Sequence, residues 1–598
     1  MSQPEGAFRA QLRARRAAIG DDRRWQLIAL AVVVAIGSFV VLYAGRGSYW
    51  FFDDWDYLVD RTFLDEPRLL GPQNKNLFAG PVPVFLVLSE LFGVGTYLPV
   101  RLADYAVFLS IAVMVYLYAR PRIGPWWALL PVGVFMATPG AEIVLWPLQI
   151  AQLFSLALGL GALMLVDWRA NRWTLPLAAV ALFGAVLSSS AGIPMLAFFI
   201  ADRVLRRETA LQALVAAPTL LFYAWWLHAW GKYSPATNPG GIEGWTSAVH
   251  GSFDAAYGAM SGTLGFHRYG WSALAGMLAL GGFLVLLAWR LFGPHTADRR
   301  RILALLAGLG SFWVLLAYGR GYMPGFNVAD RYQMISQLFL LLIFVELGAS
   351  LRQQASEQGG VFGLRWGHAL AISIGGLVVL GSIWTAAQAT RTLRDSGIRM
   401  RLEGDAQRGQ IAALALLTPE QRAGKTFFVL PRTEGFPRGA DRFVFGLFDR
   451  FDTPLPTEDD LKGYSPDARA GADITFLRNY APQVAAEAPV PAPAGAAPAI
   501  TSTPDVVVKP AGRSCVDLTG TSDAAAAALP SGFVGTVTAT GTGNSVLRAQ
   551  RYGTDWGKAG ALQIPPDTSR AFRIEQDTGS TPWQVRVEGR ASRVCSTQ

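Results

Sequence analysis

Cysteine, histidine and lysine are scarce in this 598-residue chain, and charge of either sign is thin. Two cysteines exclude a Cys-rich metal site. The five histidines show no metal-type spacing. Six lysines stand against 46 arginines, and only 16% of the residues are charged. No Gly-rich loop closes on Lys-Ser/Thr and no Gly-x-Ser-x-Gly elbow occurs, so P-loop phosphate chemistry and serine-hydrolase chemistry have no motif here. The net charge of +9 is scattered through short Arg-bearing loops between apolar runs. That is an orientation code for a membrane protein, not a nucleic-acid surface.

What is present is apolar. Hydrophobic residues make up 52% of the chain, and long uncharged runs recur to about residue 388. This is the composition of a multi-pass membrane protein with a soluble region attached. A basic tail, 1–25, precedes the first run. Trp25 to Ala44 is too long for a signal-peptide core and no small-residue cleavage site follows it, so it reads as a retained span. About eleven spans are expected, at roughly 26–44, 99–119, 125–138, 144–166, 174–188, 190–202, 210–230, 270–290, 302–318, 332–350 and 369–388. With the N-terminus inside, arginine concentrates on the inner side, and everything after residue 388 falls outside. Segment 77–95 is short and broken by Pro81 and Pro83; it reads as a second interfacial or re-entrant helix in the first outer loop, 45–98. Residues 231–269 read as another long outer loop.

The C-terminal third changes character. Residues 389–485 read as an extracytoplasmic α/β region, with an amphipathic helix near 391–417 and a strand at KTFFVLP. Residues 486–511 form a Pro/Ala linker. Residues 512–598 alternate polar and apolar in short runs, the pattern of a small β-sandwich. Cys515 and Cys595 bracket this last domain and read as a disulfide in an oxidising compartment, with two buried free thiols as the alternative. The fold class expected is therefore mainly α, a polytopic transmembrane bundle with an outer α/β region and a β domain.

The stretch that concentrates chemistry is YWFFDDWDYLVD, Tyr49 to Asp60. Wound as a helix, Phe52, Trp55, Val59 and Phe63 share an apolar stripe, Asp53, Asp56 and Asp60 share a second, and Asp54 points elsewhere. Acids at a membrane interface are costly unless they act. They read as a general base or as ligands of a divalent ion (Mg, Mn or Ca) held by Asp53 and Asp54. The alternative is that Asp53 or Asp54 caps the helix. Glu142, Trp146 and Gln149 in a short outer turn could line a sugar site, or be plain interface residues. His267 is a weaker candidate near the outer face.

A first span followed by FFDDWDYL resembles the GT-C superfamily of membrane glycosyltransferases. The eleven spans, the second helix in the first outer loop and the outer C-terminal region agree with it in kind. The resemblance implies a cell-membrane enzyme that moves sugar from a polyprenyl-phosphate donor to a cell-envelope polysaccharide or glycolipid, inverting, with Asp53 or Asp54 catalytic and Asp56 at the acceptor. It also implies a cation for the donor phosphate. Arg331, beside Asp330 and Tyr332, is the first choice, with Arg320 and Lys75 next; an interfacial Arg331 paired with Asp330 is the alternative. Some actinobacterial arabinosyltransferases of the superfamily carry a carbohydrate-binding β domain at the C-terminus, which makes 512–598 a candidate for that role. Two other functions stay open. A transporter or flippase of lipid-linked sugars would show an internal repeat or midplane charges, and neither is visible. A non-enzymatic envelope assembly factor would tolerate loss of the acids.

Overall fold

The computed structural model describes residues 23–61, 69–73, 76–137, 140–168, 171–207, 214–231, 241–266, 272–292, 299–320, 330–357, 365–415, 426–430, 435–457 and 460, and the strands between 500 and 597. The chain divides into two units. The first holds residues up to Arg46, Arg61–Val87 and Leu98–Gly397; the second holds Gly47–Asp60, Leu88–Tyr97 and Ile398–Gln598. The basic tail of 1–25 lies outside the described residues except for its last three positions.

The first unit is helical. Its elements are α1 (Arg23–Ala44), α4 (Leu98–Ile123), α5 (Leu129–Met136), α6 (Ala141–Leu145), α7 (Ile150–Trp168), α8 (Thr174–Ser188), α9 (Gly192–Arg206), α10 (Ala217–Ala229), α11 (Gly241–Thr263), α12 (Ser272–Phe292), α13 (Arg299–Arg320) and α14 (Asp330–Glu357). Helix α2 (Asp53–Asp60) belongs to the second unit. Helices α3 (Val82–Phe92) and α15 (Arg365–Ala415) each contribute to both. Among the described residues, six helices are long and apolar enough to cross a membrane: Arg23–Ala44, Leu98–Ile123, Pro147–Trp168, Ser272–Phe292, Arg299–Gly319 and Arg331–Ser350.

The remaining expected spans are shorter or differently built. The expected span at 125–138 is an 8-residue helix, α5, only ~12 Å long at 1.5 Å per residue. After it the chain is broken: α6 has 5 residues and a 3-10 turn, Pro147–Gln149, follows before α7. Irregular backbone at membrane depth survives where protein covers it. Here Ile143, Val144, Leu145, Trp146, Leu148 and Ile150 are all buried. Helices α8 and α9 have 15 residues each, and α10 has 13. The α8–α9 turn is covered too. Ser188 and Ser189 are buried, Ser155 donates to the Ala185 carbonyl at 2.7 Å, and the amides of Ala79 and Gly80 donate to the Leu187 carbonyl. A side chain at Gly192 would strike the backbone of Ala185, so the hairpin closes this tightly only with glycine there.

Two sequence expectations are corrected in this unit. Residues 231–269 are not simply a loop, because they contain the 23-residue helix α11. Its sequence, GIEGWTSAVHGSFDAAYGAMSGT, is rich in Gly, Ala and Ser, which lowers its apolar signal but lets neighbours come close. It packs against α12, α13 and α14, and a side chain at Gly276 of α12 would collide with the Tyr257 carbonyl. The amphipathic helix expected near 391–417 is also not separate. It continues the last apolar run as one 51-residue helix, α15, with no Gly or Pro break at the join.

One set of helix ends is tied together by charge. Arg122 on α4 reaches Glu346 on α14 at 2.6 Å, and Tyr118 also bonds Glu346. Arg203 and Arg301 each reach Asp167 at 2.7 Å, and Arg301 and Arg206 reach Asp202 at 2.9 Å. Asp202 is fully buried and Arg203 and Arg301 nearly so. These are ends the arginine pattern placed on one side of the membrane, so the network joins like with like.

In the second unit, strands β1 (Thr426–Leu430) and β2 (Gly435–Gly439) pair antiparallel. A π-helical turn, Asp441–Phe445, and a short helix, α16 (Gly446–Arg450), follow. The C-terminal domain begins inside the expected linker rather than after it: β3 (Ile500–Thr501) and β4 (Val507–Pro510) are already strands. With β5 (Cys515–Thr519), β6 (Ala524–Ala528), β7 (Gly535–Arg551), β8 (Gly560–Ile564), β9 (Thr568–Ile574) and β10 (Trp583–Thr597), they form antiparallel sheets in the order β3-β6-β10-β7-β8, with β9 on β7, and β4-β5. The first half of β7 pairs β9 and its second half pairs β8, while β10 carries bulges around Ala591. Bulges bend such long strands. Cys515 opens β5 and Cys595 lies near the end of β10; their side chains lie outside the described residues.

Candidate active site

The acid helix is held by its own neighbours in the second unit. Phe52, just before it, has a left-handed backbone (φ 50°), an uncommon state for a bulky residue. The turn is fixed by Asp54. Its Oδ2 accepts from the Phe51 amide at 2.8 Å and from the Tyr97 hydroxyl at 2.6 Å, and the residue is fully buried. Tyr97 stacks edge-on against Trp50 (4.9 Å), and Tyr49 and Trp50 both donate to the Val94 carbonyl, at 2.9 and 2.7 Å. Trp55 is buried against Phe427 of β1 (4.9 Å) and donates to Gln407 of α15 at 3.3 Å. The segment after the second helix of the first loop, with Val94 and Tyr97, thus joins β1 and α15 in holding α2 and its entry.

The expected separation of the acids holds. Asp54 faces inward, and Asp53, Asp56 and Asp60 take the other side. Burial is wider than one stripe, since Tyr57 and Leu58 are buried with Trp55 and Val59; Phe63 lies outside the described residues. Asp53 is half-buried. Asp56 is bound by Arg438 of β2, with Nε and Nη2 each 2.9 Å from one carboxylate oxygen. Asp60 is bound by Arg442 and the Leu58 carbonyl by Arg450 at 2.9 Å. Donating to Asp56 holds the Arg438 guanidinium above its ordinary value; partial burial opposes this, and the charges of Asp56, Asp53 and Asp60 add to it. Asp56, expected at the acceptor, is thus an ion-pair partner of Arg438.

Among the described residues no three His, Cys, Asp or Glu side chains are grouped to hold an ion. Asp54, one of the two expected ligands, already serves Phe51 and Tyr97 with the oxygen it turns inward.

The first unit gathers a different set. Arg331, at the start of α14, lies 5.9 Å from the Trp146 ring and 5.1 Å from the Tyr332 ring. Gln149, one 3-10 turn beyond Trp146, is buried, and its amide oxygen has no hydrogen-bond partner among the described residues. Trp146, Gln149, Arg331 and Tyr332 thus collect at the break in the α5–α7 path. Glu142 lies in α6 rather than in a turn, and Arg320 ends α13; neither side chain is among the described residues, and Lys75 and His267 lie outside them altogether.

Sequence reasoning missed Arg438, Tyr97 and Gln407. They come from other segments, and only the run FPRGADRF, with two arginines around Asp441, carried a signal for the first.

Comparison with solved structures finds ArnT from Cupriavidus metallidurans, in a structure described as bound to undecaprenyl phosphate and in its apo state. The identities are 17% and 15%, the coverage is 72% and 71% of this chain and 90% and 85% of those chains, and the TM-scores are 0.41 and 0.43. At those scores the likeness carries no argument about activity. No protein-family model and no curated protein matches the chain.

Proposed function

We propose that this chain is a GT-C-type membrane glycosyltransferase, moving a sugar from a polyprenyl-phosphate donor to a hydroxyl of an envelope glycan or glycolipid, with inversion. One observation carries the reading. Immediately after the first apolar helix, a short helix is fixed by a buried carboxylate, Asp54, so that a second, Asp53, stands half-buried on its other side. An interfacial carboxylate so placed can take the proton of an acceptor hydroxyl while a lipid-linked donor keeps its tail in the bilayer.

The chemistry follows from those residues. Asp53 removes the acceptor proton as the acceptor oxygen attacks the anomeric carbon. The bond to the phosphate oxygen breaks, and the lipid phosphate leaves with the electron pair. Arg331 is the cation assigned to that phosphate, and its seat between Trp146 and Tyr332 supports the assignment. Gln149, with an unsatisfied amide oxygen, suits a sugar hydroxyl. A single displacement inverts the anomeric centre.

Packing of 47–60 with 398–453 inside one unit supports a shared side of the membrane for both segments, and the arginine pattern supports the outer side of the cell membrane. The test is purified protein with synthetic polyprenyl-phosphate sugars and an oligosaccharide acceptor, with the product anomer read by NMR. Inversion is expected. Retention, or turnover only with a nucleotide sugar, would overturn the proposal. A flippase would move the lipid-linked sugar between leaflets of a vesicle without consuming it.

A further inference from the structure

Helix α11 has 23 residues, so it is about 34 Å long, enough to cross a bilayer. It is not among the described helices that are also apolar enough to do so. Its neighbours fix where it lies. Near its start, the rings of Trp245 and Tyr318 are 5.3 Å apart. Tyr318 is on α13, about 25 Å along the helix from Arg301 of the buried charge network. Farther along, a side chain at Gly276 of α12 would meet Tyr257 and Ser261. Gly276 is about 21 Å from Arg290, which donates to Ser350, one turn past Glu346 of the same network. At the far end of α11, Thr385 of α15 donates to the Thr263 carbonyl at 3.2 Å, and a side chain at Gly265 would crowd the Thr385 backbone. Thr385 is about 30 Å along α15 from Arg365, which follows α14 by a few residues. From Trp245 to Gly265, then, α11 meets the ends of α13, α12 and α15 that lie away from the network. The arginine pattern puts the network inside, so those ends are the outer ones.

The first half of α11 has three faces. Ile242, Trp245, Val249 and Phe253 fall within about 80° of arc and are all exposed. Glu243, Ser247, His250 and Asp254 share a second arc of about 60°, exposed or half-buried. Gly244, Ala248, Gly251 and Ala255 share a third and are buried in the protein. Beyond Ala255 the helix is buried on almost every side. We propose that α11 does not cross the membrane but lies along its outer surface. The apolar face enters the acyl chains of the outer leaflet, the polar face meets the water above, and the small-residue face packs on the bundle. The partner of the apolar stripe is thus a lipid surface. Its four side chains carry no charge, and α12, which packs against α11, exposes Leu274, Met277 and Leu278 at the same outer end, so one lipid-facing surface continues from helix to helix. The Trp245–Tyr318 pair stands where aromatic rings prefer the headgroup level. A helix with both ends outside also leaves α12 to run inward to Arg290, whereas a crossing α11 would start α12 on the inner side. Glycosyl transfer is not needed for this placement.

The experiment has two arms on the full-length protein. In the first, the unaltered chain in lipid vesicles is photolabelled with an apolar diazirine dissolved in the bilayer, and adducts are located by mass spectrometry. Trp245, Val249 and Phe253 should carry about tenfold more label than Ser247 and His250, because an interfacial helix sinks only its apolar face, about 5–10 Å, into the boundary. In the second, Glu243→Cys and Leu264→Cys, placed singly in a Cys-free background, are treated in intact cells with a membrane-impermeant maleimide. Both should react from the outer side. Equal diazirine labelling of the two faces overturns the proposal. So does an unlabelled apolar stripe, which would mean that a second copy or another protein covers it. Maleimide reaction of the two cysteines from opposite sides would make α11 a span, and reaction of both from the inner side alone would overturn its outer placement. The first arm needs no substitution, so it stands even where a cysteine variant folds poorly. Neither arm reads turnover, so loss of the glycosyltransferase reading would leave both results unchanged.

Discussion

Neighbouring acids on α2 meet different surroundings because one helical step turns Asp54 into the interior while Asp53 stays half-buried. Asp53→Asn should keep the fold and lose about 10²–10⁴-fold in kcat, the usual worth of a general base. Tyr97→Phe should leave the chemistry in place but remove a hydrogen bond to a buried carboxylate. A loss of about 1.5–3 kcal/mol is expected, read as a lower melting temperature in detergent. If Tyr97→Phe melts normally and Asp53→Asn turns over normally, the roles given to Asp54 and Asp53 are wrong. The stripe of Asp53, Asp56 and Asp60 was legible from helical spacing. The partner that changes the meaning of Asp56, Arg438, was not, because it lies 382 positions away in sequence.

At the level of elements, hydropathy located the long helices and failed where burial comes from close approach or from a broken path. Helix α11 is the clearest case, since its small residues carry little hydropathy and its value lies in contact. Gly276→Val should therefore force α12 off α11 and destabilise the protein by about 1–3 kcal/mol or more, as overpacking does. A thermal scan matching the native protein would contradict that packing. The buried charge network should be less forgiving still. Asp202→Ala leaves arginines buried without their acid, which costs about 3–5 kcal/mol where a buried pair is broken, and folded yield should fall sharply. Native yield and melting for this variant would show that the network is not buried as described.

For the whole molecule, the second unit joins segments far apart in the chain, with Arg442 bonded to Asp60, and the proposed topology places both on the outer side of the membrane. Single cysteines placed as Asp60→Cys and Arg442→Cys in a Cys-free background should both react with a membrane-impermeant maleimide from the outer side of intact cells. Labelling of one from each side would break the topology and the active-site reading together. In the native protein, Cys515 and Cys595 should resist maleimide until reduced; prompt labelling without reductant would mean free thiols.

The sequence by itself determined that this is a membrane protein, where its strongest apolar helices lie, that an acid helix follows the first of them, and that residues after 512 are patterned for β-strands. Those properties are local: each depends on composition or periodicity within some twenty residues. The tertiary structure alone decided that α5 through α7 form a broken path, that α11 is a helix, that α15 runs unbroken across the expected boundary, and that on α2 Asp54 is buried and Asp56 is paired with Arg438. Those outcomes depend on what each side chain meets across space, and the partners that decide them (Tyr97 for Asp54, Arg438 for Asp56) come from segments whose own patterns carry no record of the pairing.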